Sequence, residues 1–291
     1  MINFFANIFG YVLNWIYVFV QNYGLAIILF SILIKVVMLP LSINQQKTLK
    51  KNEKIQKKLK ILQIKYKGNQ EKLTQETMEL YKREKVSPFS GCLSVILQLI
   101  LLLSMFYLVR SPLTFMKKVD ASVIDEQKTK IQKEYGDNSL SKNYPEISII
   151  KYAKNNPENK DISINMDFLG LDLSKIPQEN YSDFKVYIIP ALYVISSIIS
   201  IKISTTSNKK SKENPESKEL TNEQDKKEMD QEEMAEQMNK NMSLLMPILS
   251  VSISLVAPLG LALYWLVNNI IMIVERLILN KIFSKEEEKD A

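Results

Sequence analysis

Apolar and polar residues in this chain alternate in long blocks rather than at the short period that is typical of a soluble domain. An apolar block of about 20 residues can cross a bilayer as a helix. The fourth apolar block, 243–257, has only 15 residues, so as a helix it reaches only about 22 Å, which is less than the thickness of the bilayer core. The pattern predicts an all-α polytopic membrane protein with five transmembrane helices, at 24–44, 89–109, 186–204, 242–257 and 260–283.

The first 22 residues are apolar on most sides but carry one stripe of polar or small residues, spaced three to four apart. This spacing predicts an amphipathic helix over 1–22 that lies in the membrane interface. Two alternatives stay open. One is a signal peptide, which would need a basic start and a cleavage site, and the other is a full span. The stripe consists of Asn3, Asn7, Gly10, Asn14, Tyr17 and Gln21.

Residues 45–88 form the most basic segment, with 13 Lys or Arg against five Asp or Glu. Short basic loops stay in the cytoplasm, so the N-terminus is predicted outside and the C-terminus inside. A 4-3-4 apolar repeat and a turn at 67–69 predict an antiparallel coiled-coil hairpin. Its surface is either solvated beside anionic lipid or a docking surface. The repeat consists of Ile55, Leu59, Leu62 and Tyr66.

Three more polar segments complete the chain. Segment 110–185 has nearly balanced charge and lies outside the cell by alternation. Its irregular pattern is compatible with partial disorder, although 164–173 is apolar enough to lie on the membrane surface. Segment 205–241 is predicted to be a charged cytoplasmic linker that lacks core-forming residues, and 284–291 is predicted to be a cytoplasmic tail.

The composition excludes most catalytic chemistry. The chain has no histidine and one cysteine, so a Ser-His or Cys-His nucleophile and an intrachain disulfide are excluded, and a zinc or haem site is not expected. It has only seven glycines and no glycine-rich phosphate loop. We therefore expect no catalytic residue, no metal, no cofactor and no enzymatic activity.

Lys35 is the one charge inside the apolar stretch 24–41. A lysine within a span costs about 2.5–3.5 kcal/mol on insertion scales, so it either snorkels to the surface or faces a hydrated interior. No acidic residue lies near it in sequence, and the first four predicted spans contain no Asp or Glu. We therefore predict an unpaired lysine that attracts anionic groups rather than one half of an ion pair.

Thin polar stripes on the predicted spans add to this picture. Serine and asparagine often join helices within membranes. Together with an unpaired lysine, however, the stripes suggest a shared hydrophilic cavity inside the bilayer that would attract an anionic group. The stripes consist of Ser31 and Lys35, Ser94 and Gln98, Ser196 and Ser200, Ser250 and Ser254, and Tyr264 and Asn268.

Several motifs resemble those of the YidC/Oxa/Alb family of membrane protein insertases. The run LYKREKVSPFSGC at 80–92 is similar to the family signature LYKxEKVNPLGGC, and PLGLALYWLVNN at 258–269 is similar to its final hairpin. Lys35 with MLPL at 38–41 resembles the first span, in which the basic residue is usually Arg. Gln98 falls where the second span of the family carries its Gln.

The resemblance implies a short form without the large outer domain, located in the bacterial plasma membrane. Its groove would open to the cytoplasm and to lipid, be closed outside, and receive acidic parts of nascent membrane proteins. Lys35 would supply the charge of this groove, although lysine lacks the bidentate fork of arginine. Ser200 and Trp265 fall at the positions of other polar groove residues. The expected groove residues are therefore Ser31, Lys35, Gln98, Ser200, Tyr264, Trp265 and Asn268.

The implied function is insertion and folding of nascent membrane proteins, alone or with the Sec translocon. The hairpin 45–88 would contact the ribosome and the translocon, and no specific nucleic-acid sequence would be recognised. One alternative is a small-solute transporter or anion channel, which needs a route to the outside. A second alternative is a non-catalytic scaffold whose hairpin recruits cytoplasmic partners.

Overall fold

The structure is a computed structural model that describes residues 2–66, 68–84, 90–154, 162–210 and 252–290. In 49–50, 52–54, 56–57, 60, 90–98, 204–210 and 283–290 it describes the backbone alone. The described chain is mostly helical, which confirms the predicted class. The helices are α1 Ile2–Val20, α2 Tyr23–Lys65, α3 Gln70–Arg83, α4 Ser90–Arg110, α5 Ala121–Tyr135, α6 Pro145–Ala153, α7 Ile188–Lys210 and α8 Leu259–Asp290.

Four helical stretches in the described residues are long and apolar enough to cross a membrane: Ile2–Val20, Tyr23–Thr48, Phe184–Ile203 and Leu259–Ile282. A shorter apolar stretch, Leu99–Arg110, covers the outer part of the predicted second span. The predicted fourth span, 242–257, lies mostly outside the described residues, which include its last helical turn at 252–256. The count of five spans and their orientation therefore stay predictions.

Helix α1 buries one face, on which Gly10 lies among larger apolar residues such as Phe9 and Leu13, and exposes other large apolar residues on its opposite face. Gly10 is buried against the π-helical turn Leu113–Lys117, where the backbone approaches so closely that a Cβ would overlap the carbonyl oxygen of Phe115. This contact explains the glycine in the predicted stripe, because no other residue fits there without a backbone shift. The exposed residues of the helix are mainly apolar and include Phe4, Tyr11, Trp15 and Phe19.

The start of α1 lies beside Ser104, whose hydroxyl donates to the carbonyl of Ile2 at 3.3 Å. Ser104 is six residues before the end of α4, or about 9 Å along that helix. A helix that ran parallel beside all of α4 would instead begin near Ser90. These contacts favour the predicted interfacial position, although α1 also qualifies as a span by its length and composition.

Helix α2 is continuous from Tyr23 to Lys65, so the boundary predicted at 44/45 falls within a single helix. It contains Pro40, which lacks an N–H and therefore removes one hydrogen bond of the helix. Helix α3 then folds back along the distal part of α2. The Lys58 ammonium pairs with the Glu84 carboxylate, and the side chains of Ile55 and Leu80 are buried where the two helices pack. The cytoplasmic location of this helix pair stays a prediction.

Segment 110–185 has a regular structure in its described residues, so the expectation of partial disorder is wrong there. Helices α5 and α6 pack through buried isoleucines, including Ile124 and Ile150. Strands β1 Asp167–Phe168 and β2 Leu171–Asp172 form an antiparallel hairpin. Its two turn residues, Leu169 and Gly170, both have positive φ, as a type I′ turn requires.

The apolar side chains of the stretch 164–173 pack mostly against the protein rather than lying on the membrane surface. Ile164, Met166 and Leu173 are buried, Phe168 and Leu171 are half-buried, and of these apolar residues only Leu169, at the tip of the hairpin, is largely exposed. The sequence could not separate these cases, because burial against protein and burial against lipid require the same apolar side chains. We call this stretch, together with the residues that follow it as far as Lys175, the outer cap, after the predicted orientation of the chain.

Glu146, at the start of α6, is a buried carboxylate that fixes the π-helical turn. One oxygen accepts from the backbone N–H groups of Leu113 and Thr114 at 2.8 and 3.0 Å, and the other accepts from the Thr114 hydroxyl at 2.6 Å. These N–H groups are in the first turn of a helical segment, where they have no partner within the helix. Glu146 therefore ties α6 to the outer end of α4.

Glu146→Ala is expected to lower the thermal unfolding midpoint of the purified protein by about 10 °C. The change leaves one buried and one partly buried N–H group without an acceptor, which costs roughly 3 kcal/mol, and each kcal/mol shifts the midpoint by about 2–4 °C in a chain of this size. Glu146→Gln is the matched control, because its amide oxygen can still accept from both N–H groups. Equal midpoints for the alanine variant and wild type would contradict the role of this carboxylate.

Candidate functional site

The outer cap closes one end of the helix bundle by bonding to helix N-termini. The carbonyl of Asn165 accepts from Tyr23 N at 2.9 Å, and the carbonyls of Leu173 and Lys175 accept from Gly260 N and Leu259 N at 3.0 and 2.9 Å. The first N–H groups of a helix have no partner within it, so these carbonyls satisfy donors that would otherwise be buried and unpaired. Helices α2 and α8 therefore start at the cap and run away from it in the same direction.

Packing is tight next to the cap and loosens farther along the helices. On α2, Tyr23, Ile27, Phe30 and Ser31 are buried, whereas no residue from 32 to 48 is buried. On α7, burial ends at Ser197 among the described side chains. On α8, buried residues are continuous up to Leu263 and recur as far as Asn269, after which Leu279 alone is buried among the described side chains. The described bundle is thus closed between the cap and the level of Ser31, Ser197 and Asn269, and it is more open beyond that level.

Lys35 lies at the start of the open region, 12 residues after Tyr23, or about 18 Å along α2. Its ammonium contacts the Oε2 atom of Glu275, on α8, at 2.7 Å. The Lys35 side chain keeps 27% of its exposure and the Glu275 side chain 13%. The prediction of an unpaired lysine is therefore wrong, because a carboxylate distant in sequence lies beside it.

The sequence did contain a sign of this partner. Tyr264, Asn268 and Met272 form one stripe of α8, and Glu275 follows at the spacing that continues the same face. Glu275 lies late in the last predicted span, 240 residues along the chain from Lys35. The contact forms because α2 and α8 run in parallel from the cap, so that residues at similar distances from it lie side by side.

A second polar contact joins α7 and α8 on the capped side of the ion pair. The Asn269 amide donates to the Ser196 and Ser197 hydroxyls at 2.9 and 3.3 Å, and all three residues are buried. These hydrogen bonds connect helices, which was the alternative explanation for the stripes. The neighbouring Asn268 instead donates to the carbonyl of Tyr264 within its own helix at 3.1 Å.

The other predicted groove residues are more scattered than a single shared cavity would require. Ser31 is buried and donates to the carbonyl of Ile27 at 2.8 Å, so its hydroxyl is satisfied within α2. Trp265 is half-buried, with its ring centroid 6.4 Å from that of Tyr193. Ser200 is half-buried on α7.

The indole N–H of Trp265 is buried and has no hydrogen-bond partner among the described residues. An indole N–H is a donor only, so this group is available to an acceptor that reaches it. The side chains of Ser94, Gln98 and Ser250 lie outside the described residues. The structure therefore brings Lys35 together with Glu275, a residue that was not among the predicted ones.

Charged residues outside the predicted spans form ion pairs, one at the end of the cap and one between α2 and α3. Lys175 pairs with Asp183 at 2.7 Å, and the hydrogen bond from its ammonium lowers the pKa of Asp183 below the usual value. In the helix pair, the hydrogen bond from Lys58 likewise lowers the pKa of Glu84. Both carboxylates therefore stay charged, and these contacts persist, well below neutral pH.

The fold and the site define a class: a multi-pass helical membrane protein with a charged residue inside the bundle, beneath a closed outer cap. The family model described as "60Kd inner membrane protein" matches residues 15–287. The chain belongs to this family, which confirms the resemblance seen in its motifs. It is a multi-pass protein of the plasma membrane.

Several curated relatives carry the name "Membrane protein insertase YidC". The chain is 46% identical to the protein of Pelodictyon phaeoclathratiforme over 119 residues, which are 39% of this chain and 20% of that one. It is 49% identical to the protein of Chlorobium phaeovibrioides over 100 residues, 34% and 17% of the two chains. For Francisella tularensis subsp. novicida the identity is 41% over 107 residues, 37% and 19%. The match thus spans about a fifth of the length of these relatives.

Proposed function

We propose that this protein inserts nascent membrane proteins into the plasma membrane and assists their folding through a groove that contains Lys35. An acidic or polar flank of the substrate enters from the cytoplasmic side and contacts the Lys35 ammonium. The hydrophobic segment of the substrate then moves sideways into lipid. Curated relatives that are named membrane protein insertases support this proposal.

The observation that carries the proposal is the position of Lys35. It lies inside a candidate membrane span, where the tightly packed capped region ends and the more open region begins. A cation at this depth is costly unless it has a partner, and charged residues within spans are commonly part of substrate paths. A nascent chain that arrives from the open side would reach this cation first and meet the closed core beyond it.

The driving force in this proposal is hydrophobic burial, so no nucleotide is needed. Each CH₂ group moved from water into lipid contributes roughly 0.8 kcal/mol, and a segment of about 20 apolar residues contains many such groups. The barrier is the polar flank, which must lose water on its way across. A fixed cation lowers this barrier by replacing part of the lost hydration of a carboxylate.

In an insertase-depleted cell, Lys35→Arg is expected to support insertion of a substrate with an acidic flank, whereas loss of the cation is expected to reduce insertion roughly tenfold. A charge-assisted hydrogen bond contributes about 1.5–3 kcal/mol, and 1.4 kcal/mol corresponds to a factor of ten. Lys35→Ala alone also leaves the Glu275 carboxylate unpaired. The double variant Lys35→Ala/Glu275→Ala is therefore measured beside it, because it removes the cation without leaving an unpaired charge. Protease protection of the translocated flank measures insertion.

The matched control in this experiment is the same substrate with each flank Asp replaced by Asn. Its insertion should depend little on residue 35, because an amide gains much less than a carboxylate from a nearby cation. Equal insertion of the acidic substrate by wild type and both alanine variants would remove the Lys35 charge from the mechanism.

The transporter or channel alternative receives less support. A solute would need a path to the outside, yet the outer cap covers the starts of α2 and α8 with direct backbone hydrogen bonds. Flux of a small anion through the purified protein in liposomes would favour this alternative over the insertase.

The helix pair formed by α3 and the distal part of α2 is the surface that we propose for the ribosome and the Sec translocon. It combines many lysines with exposed apolar residues, among them Ile61, Ile64 and Met78. Lysines attract the phosphates of ribosomal RNA without reading a sequence, and exposed apolar side chains suit a protein contact.

A further inference from the structure

The contact between Lys35 and Glu275 places a carboxylate of the protein where the proposed function needs a carboxylate of the substrate. Within the part of the chain that the structure describes, the Lys35 ammonium has one hydrogen-bonding partner, and this partner is the Oε2 atom of Glu275. The two groups lie at the level beyond which few described side chains of α2 and α8 are buried. A substrate carboxylate that approaches Lys35 therefore meets a position that is already occupied.

We propose that Glu275 is an internal competitor for Lys35, and that a substrate carboxylate must displace it in order to bind. Glu275 thereby determines which substrates the groove accepts. This inference rests on the proposed function, since it assumes that Lys35 receives the acidic flank of a nascent chain.

The exposures of the two side chains are compatible with such an exchange. Lys35 keeps about twice the fractional exposure of Glu275, so the ammonium can be approached while the carboxylate lies deeper against the bundle. The ammonium has three N–H donors, and the contact with Oε2 uses one of them. An incoming carboxylate can thus contact Lys35 before Glu275 leaves, which avoids a stage at which the lysine has no partner.

Competition of this kind changes affinity in a defined way. If Lys35 is free for only a fraction of the time, the dissociation constant of every ligand that needs it rises by the inverse of that fraction. A ligand that does not use Lys35 is unaffected. Neutralising Glu275 should therefore strengthen the binding of acidic flanks and leave neutral flanks unchanged.

The alternative is that the ion pair only holds α2 against α8. In that case neutralising Glu275 would change stability but would not change the preference of the groove for an acidic flank. The ratio of affinities for an acidic and a neutral peptide separates the two explanations, because a general loss of structure would affect both peptides alike.

The test uses the full-length protein in lipid nanodiscs and two fluorescent peptides. Each peptide has one apolar segment that is long enough to span a bilayer and a flank with a single Asp or, as the match, a single Asn. Dissociation constants are measured for wild type, Glu275→Gln, Glu275→Asp, Lys35→Gln and the double variant Lys35→Gln/Glu275→Gln. Thermal unfolding midpoints establish that each variant is folded.

Glu275→Gln is expected to tighten binding of the Asp peptide about fivefold, which is the order of magnitude that removal of a partly exposed ion pair allows. Binding of the Asn peptide should stay within about twofold, because this peptide does not need the cation. Glu275→Asp keeps the charge and should resemble wild type more than Glu275→Gln does. In the Lys35→Gln background, Glu275→Gln should no longer change the ratio between the peptides.

Two other results would each overturn a different claim. If Glu275→Gln binds the Asp peptide as wild type does, while Lys35→Gln still weakens that binding, then Glu275 is no competitor and the proposed function stands. If the two peptides bind equally both to wild type and to Glu275→Gln, then Lys35 does not recognise acidic flanks, and the proposed groove mechanism fails together with this inference.

Discussion

Lys35→Glu is expected to prevent accumulation of stably folded protein, and the further change Glu275→Lys is expected to restore it. The single change places two carboxylates side by side within candidate membrane spans, where the 2.7 Å ion pair now lies. Two like charges at this distance cannot both ionise without a large penalty. The swapped pair has opposite charges again, on the same two helices.

The measurement is size-exclusion chromatography of fluorescent fusions of each variant in detergent, before and after heating. The double variant Lys35→Gln/Glu275→Gln is the matched control, since it removes both charges and leaves neither helix with an unpaired ion. It should fold about as well as wild type, because replacement of a buried ion pair by neutral groups is often nearly neutral. A folded single variant with an unchanged unfolding temperature would show that α2 and α8 are not held at this distance.

Gly10→Ala is expected to destabilise the protein by about 3 kcal/mol or more, because overpacking at a fixed contact typically costs 1–3 kcal/mol and this contact is with backbone. The new Cβ would overlap the carbonyl oxygen of Phe115, which belongs to the π-helical turn that Glu146 holds in place. Because the hydrogen bonds from Glu146 hold the π-helical turn in place, we expect α1 to shift away from the outer end of α4. A lower midpoint of thermal unfolding and faster proteolysis of α1 would report this shift.

Gly260→Ala is the matched control for this prediction. Gly260 also lies in a helix, but the nearest atom to its Cβ would be Cε1 of Tyr23 at 3.4 Å, which is an ordinary contact. Alanine is favoured over glycine in a helix by about 1 kcal/mol, so this change should be neutral or slightly stabilising. Equal effects of the two substitutions would contradict the close approach at Gly10.

The blocks of apolar residues predicted the helical membrane class, because the length of an apolar helix is dictated by the thickness of the bilayer. They could not predict where individual helices would end. The first span and the following basic segment form one helix, α2, because the helical hydrogen bonds continue whether the surroundings are lipid or water. The segment 164–173 is apolar enough to lie on the membrane surface, yet most of its apolar side chains pack against the protein.

The sequence alone singled out Lys35, since a lysine within an apolar span is conspicuous wherever the chain folds. Its partner was decided only by the tertiary structure. Glu275 is 240 residues away, and the two meet because the outer cap bonds the starts of α2 and α8 at one level, from which both helices run in parallel. Local pattern thus determined the elements and the charge inside the membrane, whereas long-range hydrogen bonds at the cap determined that this charge is shared with a carboxylate.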